Sequence, residues 1–233
     1  MTQLMKYDET SEILNKYNIY CSREKYKELE RTIERALSFN HSLVWDNNTK
    51  NIFLASTPED LIGIYALRSK IYAELAYDKE FPDTIKGLNF DSYDEHSAIL
   101  YTKREGKITG TCRVIFDLNN ALPMDKNFPL NYLRNKGEKL AELSRLMIDN
   151  KEKGLSQEPK YLTKGAYLVM QKNDLTTLMS VMVEEHFKLY DKFGGFKIEE
   201  KIESYSDLGL PFIITSWNIS EVSLFFKKIF LSY

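Results

Sequence analysis

The spacing of apolar residues predicts a helix near the start of the chain, followed by a loop. Within residues 22–39, apolar side chains recur every three or four positions, at Tyr26, Leu29, Ile33 and Leu37. That period places them on one face of an α-helix. The polar residues 45–51 are typical of a loop. We therefore interpret residues 1–50 as a helical extension, packed on the main body or on a partner, and residues 51–233 as the principal domain.

A short strand and a second helix are predicted next. Residues 51–56 have the apolar character of a strand, and the stretch that follows begins Thr-Pro-Glu-Asp at Thr57. A threonine cap, a proline at the first helical position and an acid three residues after the cap together indicate a helix start. This helix should run to about residue 76, with an inward face made of Leu61, Ile64, Leu67, Ile71 and Leu75.

An antiparallel hairpin and a central strand follow. Residues 98–103 and 107–116 are rich in β-formers and are separated by a turn that contains Gly106. An irregular acidic segment precedes this hairpin, and a loop with two prolines follows it. Residues 139–149, which read KLAELSRLMID, then have the apolar content of a buried strand, although two charged residues interrupt it.

Two arrangements of the C-terminal third fit the pattern. In the first, residues 174–193 form a helix that ends at a glycine pair, residues 211–217 form the strand parallel to the central one, and residues 220–230 form a last helix. In the second, residues 166–171 are the parallel strand, and residues 196–202 form a closing hairpin with 211–217. We favour the first. Both describe a mixed α/β domain, with helices flanking a mixed sheet.

Composition and the absence of certain sequence features argue against several classes of function, although a local charged patch stays open. The chain has 233 residues, of which 32 are basic and 34 acidic, so its net charge of −2 provides no general attraction to nucleic acid or membrane surfaces. The N-terminus lacks the features of a signal peptide, and no apolar run is long enough to span a membrane, so we expect a cytoplasmic protein. The two cysteines define no disulfide framework, and the three widely separated histidines predict no metal site.

Six charged residues stand in otherwise apolar surroundings and require an explanation. An unpaired charge in a protein interior costs several kcal/mol, so buried charges normally find partners. Three acids and three arginines of this kind predict one paired network, in which the ion pairs either fasten loops to the sheet or form the edge of a ligand site. The six residues are Arg68, Asp91, Asp94, Arg113, Glu142 and Arg145.

The order of these residues resembles that of a known family. The resemblance is to the acyl-homoserine-lactone autoinducer synthases and to their relatives, the long-chain N-acyl amino acid synthases, which share a GNAT-like acyltransferase fold. It covers residue 51 to about residue 150. The matching features are Arg68, Tyr72, Tyr77, the pair Asp91-x-x-Asp94, the sequence GTCR ending in Arg113, and the sequence ELSR from Glu142 to Arg145.

Three departures concern the autoinducer branch of that family. This branch usually has tryptophan where the chain has Tyr77, and an acid where the chain has Asn89. The stretch of residues 150–174 between the central strand and the next predicted helix is also longer than in that branch. The departures argue against homoserine-lactone synthesis from S-adenosylmethionine and are compatible with N-acyl transfer in general.

The residues after the central strand bear on the acyl donor. A GNAT enzyme usually has a Q/R-x-x-G-x-G/A loop here, whose backbone N–H groups bind the phosphates of coenzyme A. This chain instead has DNKEKGLSQ at residues 149–157, with a single glycine. The resemblance then implies a donor held by its phosphopantetheine arm on acyl carrier protein, with no permanently bound cofactor. Lys151 and Lys153 would meet an acidic carrier surface.

The predicted function is N-acyl transfer from an acyl thioester to the amine of a small metabolite. Glu142 is the expected general base, and backbone N–H groups near Ser144 are expected to stabilise the oxyanion. By the resemblance, the residues that order or bind the amine acceptor are Arg68, Tyr72, Tyr77, Asp91, Asp94, Arg113 and Arg145. The alternatives are an acetyl-CoA-dependent GNAT enzyme, and a catalytically silent protein that binds an acyl group or a partner.

Overall fold

The computed structural model describes residues 10–118, 122–149, 157–203 and 211–231. These residues form a seven-stranded mixed sheet in the order β1-β2-β3-β4-β5-β7-β6. The strands are β1 (Phe53–Leu54), β2 (Ser97–Arg104), β3 (Lys107–Phe116), β4 (Leu140–Ile148), β5 (Thr177–Val183), β6 (Phe196–Ile202) and β7 (Phe212–Asn218). The predicted mixed α/β architecture is confirmed.

Helices cover the sheet and connect its strands. They are α1 (Arg23–Ser42), α2 (Pro58–Glu74), α3 (Asn131–Arg134), α4 (Glu158–Lys172), α5 (Phe187–Asp191) and α6 (Leu224–Phe226), which continues into a π-helical turn at Lys227–Leu231. Short 3₁₀ helices lie at Ser92–His96 and Pro123–Lys126. None of the helices in the described ranges combines the length and apolar character that a membrane span needs.

The first two predicted helices are present with the expected starts. Ser22 caps α1 by accepting a hydrogen bond from the N–H of Lys25, and Thr57 caps α2 in the same way from Asp60. The inward placement of Leu75 was wrong, since its side chain is 55% exposed. Helix α2 ends at Glu74, so Leu75 lies in the cap and no longer follows the buried stripe.

Helix α1 packs against the main body. Its buried residues Tyr26, Leu29 and Ile33 share an apolar core with residues of α2 and β2, among them Tyr65 and Ile99. The amide of Asn40 also donates to the carbonyl of Ala55, at 2.9 Å. The described part of the N-terminal extension therefore covers the domain, while the division at residue 50 stays a prediction.

The hairpin of β2 and β3 and the central strand β4 are confirmed. Strands β2 and β3 pair antiparallel, and β4 pairs antiparallel with β3. Glu105 and Gly106, in the turn, have φ angles of 50° and 78°. This left-handed conformation is easiest for glycine, which explains Gly106 at that place.

Both predicted arrangements of the C-terminal third were wrong about the partner of β4. Residues 174–193 are not one helix but contain β5 and α5, and residues 166–171 belong to α4. The strand parallel to β4 is β5, and β7 runs antiparallel to β5. The closing hairpin of the second arrangement is correct, because β6 and β7 pair antiparallel.

The error at β5 has a physical cause. Leu178, Met179 and Met182 fit a helical stripe, but Thr177 to Ser180 are all buried because this part of the strand is covered on both faces. A strand buried on both faces has no alternating pattern, and a short apolar run then fits a helix equally well.

The pairing between β4 and β5 stops halfway along the strands. It extends from Leu140–Thr177 to Leu143–Ser180, although β4 continues to Ile148 and β5 to Val183. Beyond this point the two neighbouring strands separate. The sheet therefore opens into a cleft at its centre, and this cleft positions the candidate site.

Candidate active site

The cleft between β4 and β5 leads into a cavity of about 950 Å³. Its walls are mostly apolar and aromatic. Tyr72, Tyr77 and Phe81 lie on the α2 side, and Leu178 and Trp217 are contributed by β5 and β7. Asp91, Arg113, Glu142 and Ser144 provide polar groups along the same cavity. An apolar cavity with a few convergent polar groups is the usual form of a small-molecule site.

Strand β4 carries a bulge where it lines the cleft. Arg113 pairs with Ser144 and Thr111 with Met147, so one residue of β3 faces two residues of β4. Arg145, the first of the two, has a φ angle of 55°. A bulge of this kind redirects side chains and backbone groups at functional sites.

The bulge turns backbone donors of β4 toward the cleft. Leu140 accepts a hydrogen bond from Asp117 with its carbonyl, and the N–H of Asp149 donates to Thr109, so both residues face β3. Alternate residues of a strand face opposite neighbours. Across the bulge, the N–H groups of Leu146 and Ile148 therefore face the open side of β4. That orientation suits a thioester carbonyl or an amide-bearing chain in the cleft.

The backbone of Ser144 itself does not face the cleft, where the oxyanion donors are expected. In the alternation of β4 it faces β3, like Leu140, and its Oγ accepts a hydrogen bond from Nε of Arg113 at 2.8 Å. The donors that face the cleft come from the residues after Ser144.

Five of the six predicted network residues form a connected set of ion pairs. Asp94 lies 2.8 Å from Nη1 of Arg68 and 3.2 Å from Nη1 of Arg113. Asp91 accepts from Nη1 and Nη2 of Arg113, at 2.6 and 3.0 Å, and from Nη2 of Arg145 at 3.2 Å. The set connects α2, the acidic segment, β3 and the bulge of β4.

The pairing fixes the charges of this set. Burial favours neutral Asp91, but the neighbouring Arg113 outweighs it and lowers the pKa of Asp91 well below its ordinary value. Burial likewise opposes the charge of Arg113, but Asp94 and Asp91 raise its pKa. Asp91 and Arg113 therefore stay ionised near neutral pH and act as fixed charges.

Arg145 lies against a pair of stacked aromatic rings at the α2 side of the cleft. Its guanidinium lies 5.0 Å from the ring centre of Tyr72 and 5.2 Å from that of Phe81, and these two rings stack at 4.8 Å. Nη1 of Arg145 also donates to the hydroxyl of Tyr72. Tyr77 lies at the edge of the same cluster. The predicted acceptor-binding residues Tyr72 and Tyr77 thus share one wall of the cavity with Arg145.

Glu142 is the exception to the predicted network. Its side chain is 7% exposed, and Oε2 accepts a hydrogen bond from the backbone N–H of Met124 at 2.9 Å. Within the described residues it forms no ion pair with an arginine. Burial raises its pKa to about 7, against the opposing effects of the Met124 N–H and of Arg113. A carboxyl group with this pKa exchanges a proton near neutral pH.

The loop that supplies Met124 was missed as part of the site. Pro123 lines the cavity, and the 3₁₀ helix Pro123–Lys126 places the Met124 N–H on Glu142. A proline followed two residues later by an acid, at Asp125, is a signal of a helical turn and was available in the sequence. In the described parts of the chain, no three potential metal-ligating side chains come together.

A family model matches residues 63–218, more than half of the chain, and it is described as N-acyl amino acid synthase FeeM. The chain belongs to the FeeM family. Members of this family and of the acyl-homoserine lactone synthases are N-acyltransferases, and the enzyme class is therefore N-acyltransferase. The search of curated protein sequences found no match.

Solved structures show the same fold as this FeeM-family chain, and the predicted GNAT-like acyltransferase fold is thereby confirmed. FeeM from uncultured soil microbes is 16% identical, with a TM-score of 0.59, over 77% of this chain and 93% of its own. The acyl-homoserine lactone synthase LasI is 18% identical, with a TM-score of 0.51, over 68% and 82%. The CoA-dependent synthase BjaI, solved with SAM and isopentyl-CoA, is 15% identical, with a TM-score of 0.54, over 69% and 77%.

Proposed function

We propose that the protein transfers a fatty acyl group from the thioester of acyl carrier protein to the amine of an amino acid. One observation carries this proposal: Glu142 and the bulge of β4 border the same apolar cleft. The first supplies a proton acceptor with a pKa of about 7, and the second supplies backbone donors for a developing oxyanion.

The reaction follows from these groups. Glu142, directly or through a water molecule, accepts a proton from the ammonium group, and the free amine attacks the thioester carbonyl. The N–H groups of Leu146 and Ile148, which face the cleft, stabilise the negative charge on the carbonyl oxygen. Attack forms the C–N bond, and collapse of the tetrahedral intermediate re-forms the carbonyl and breaks the C–S bond. The attacking nitrogen loses its second proton, the departing thiolate takes up a proton, and the product is an N-acyl amino acid.

The cavity walls fit an acyl chain and an acceptor at opposite ends of the reaction centre. Leu143, Leu178 and Trp217 offer the apolar surface that a hydrocarbon chain needs. Asp91 and Arg145 belong to the set of fixed charges near the α2 side, where a polar amino acid is accommodated at lower cost. The phosphopantetheine arm would enter along the open edge of β4.

The identity of the donor rests on the sequence. The segment expected to contact the carrier, with Lys151 and Lys153, lies outside the described residues. Its departure from the usual phosphate-binding loop favours acyl carrier protein. A CoA thioester is the second candidate donor, supported by the structural similarity to the CoA-dependent synthase BjaI.

A direct assay tests the proposal. The same long acyl group is supplied on acyl carrier protein or on CoA, together with each of the common amino acids or with S-adenosylmethionine, and products are identified by mass spectrometry. We expect N-acyl amino acids, a higher kcat/KM for the carrier, and carrier-dependent rates that decrease as salt increases. Equal or better kcat/KM with acyl-CoA contradicts the donor assignment. Absence of product from every pair favours a silent binding protein.

A further inference from the structure

A second set of ion pairs lies behind Glu142, outside the predicted network. Arg134 donates from Nε and Nη2 to the two carboxylate oxygens of Asp117, at 2.6 and 3.0 Å. It also donates from Nη1 and Nη2 to those of Asp125, at 2.8 and 2.5 Å. The side chain of Arg134 is only 12% exposed. A guanidinium that uses three nitrogens on two carboxylates has a well-defined orientation.

These contacts determine the position of the loop that carries Met124. Asp125 accepts backbone hydrogen bonds from Leu122 at 3.1 Å and from Leu130 at 3.0 Å, so it fixes the chain on both sides of the 3₁₀ helix. Asp117 directly follows β3, and its own N–H donates to Leu140 on β4. Arg134 therefore fastens the loop to the end of the strand pair that contains Glu142.

We propose that Arg134 is a positioning residue for the reaction, which holds the Met124 N–H on Glu142 through Asp117 and Asp125, orients the base and favours its ionised form. The inference rests on the proposed function, because it assumes that Glu142 is the general base. Arg134 itself does not line the cavity. Its effect on the reaction is exerted through the 2.9 Å hydrogen bond from Met124 to Glu142.

Removal of Arg134 should change the pKa of Glu142 in one direction only. The charged groups that act on Glu142 are Arg113 from β3, Asp91 from the acidic segment and Asp125 from the loop. The residue that pairs with Glu142 on β5, Met179, is apolar. Without Arg134, the Met124 N–H loosens and the negative charge of Asp125 loses its counter-ion. Both changes disfavour the glutamate anion, so the pKa of Glu142 should increase further.

The test is the pH dependence of kcat/KM in Arg134→Met. The acidic limb of the profile should move to higher pH by about one pH unit, while the rate at high pH recovers most of its wild-type value. Arg134→Lys, which keeps a cation, should restore part of the shift. Glu74 and His186 also carry ionisable side chains on the cavity wall. Glu142→Gln, which should abolish the limb, separates their contribution from that of Glu142.

Arg104→Met is the matched control. Arg104 pairs with the buried Glu158 at 2.9 Å, and neither residue lines the cavity. Its removal should lower stability and leave the acidic limb in place. If Arg134→Met does not fold, Asp117→Asn replaces it, because this change weakens the arginine's attachment to β3 and keeps Asp125. A folded variant with the wild-type limb overturns the inference.

A second readout does not depend on activity. The pH dependence of the unfolding free energy, compared between a protein and its Glu142→Gln counterpart, reports the titration of Glu142. In the Arg134→Met background this titration should occur at higher pH than with Arg134 present. If the wild-type pH–rate profile shows no acidic limb and Glu142→Gln keeps the wild-type rate, Glu142 is not the general base. The unfolding titration would still decide the role of Arg134.

Discussion

Two carboxylates near the cleft are buried in opposite ways. In the set of ion pairs, which we call the paired end, Asp94 is 0% exposed and lies between two arginines, Arg68 and Arg113. Glu142, by contrast, is 7% exposed and has a backbone N–H as its hydrogen-bond donor. The degree of burial is nearly the same, and the partners differ.

The comparison shows that the partner, and not burial alone, decides what a buried acid does. An ion-paired carboxylate remains charged, and removal of its partner is costly, so it is suited to fixing the geometry of a site. A carboxylate that is buried without a counter-charge has a raised pKa and is able to exchange a proton. We therefore propose a structural role for the paired end and proton transfer for Glu142.

The largest expected effect comes from Glu142→Gln, which keeps the shape of the side chain and an acceptor for the Met124 N–H but removes the proposed base. General bases contribute typically 10²–10⁴-fold, so we expect kcat to decrease by at least about 10²-fold. Steady-state kinetics with a saturating donor measure it. Glu158→Gln, which changes a buried glutamate away from the cavity, should have near-native kcat. A near-native kcat in Glu142→Gln would move the base elsewhere.

The paired end of the cleft was predictable from the sequence. Charges inside apolar strands, such as Arg113, and acids beside aromatic residues, such as Asp91, need partners if they are buried, and this requirement alone predicts their association. The hydrogen bond that Glu142 makes was not predictable in this way. Its donor is the backbone N–H of Met124, and every residue except proline carries such a group.

The fold likewise has features that local sequence signals predict and features that they do not. Caps at Ser22 and Thr57 and the turn at Gly106 are local signals, and the elements that they delimit are present. The identity of the strand beside β4 depends on contacts between residues that are distant in the sequence. Because β5 is buried on both faces in its first half, its residues carry no alternation that distinguishes a strand from a helix.

A second prediction concerns the stability of the ion pairs at the paired end. Arg113→Met removes the cation shared by Asp91 and Asp94 and should lower the unfolding free energy by about 3 to 5 kcal/mol. Urea denaturation measures it. The double variant with Asp91→Asn should lose less than the sum of the two single losses, because the residues are coupled. Additive losses would contradict the network. Lys201→Met, which breaks an exposed pair with Glu184, should change stability little.

A third prediction concerns the pH dependence of stability, which reports the ionisation of Glu142. The pKa of Glu142 is raised from 4.5 to about 7. Between these values the unfolded chain releases the proton and the folded protein retains it, so stability decreases as pH rises. The wild type should therefore lose roughly 3 kcal/mol between pH 4.5 and 7 relative to Glu142→Gln, and the difference should be constant above that range. Parallel stability curves for the two proteins would show that Glu142 ionises normally.

The smallest expected effect is that of Tyr72→Phe, at the edge of the paired end. The ring stays stacked on Phe81 and under Arg145, and Arg145 keeps its contact with Asp91, so the variant loses only the hydroxyl that accepts from Arg145.

We expect the KM for the amine to increase by a few fold, about 1 kcal/mol, with kcat close to the wild-type value, because binding weakens while Glu142 is unaffected. Tyr132→Phe is the control, since its hydroxyl donates to Glu199 outside the cavity, and it should change neither constant. If Tyr72→Phe lowers kcat as strongly as Glu142→Gln, the division between a structural set of ion pairs and a proton-transferring Glu142 is wrong.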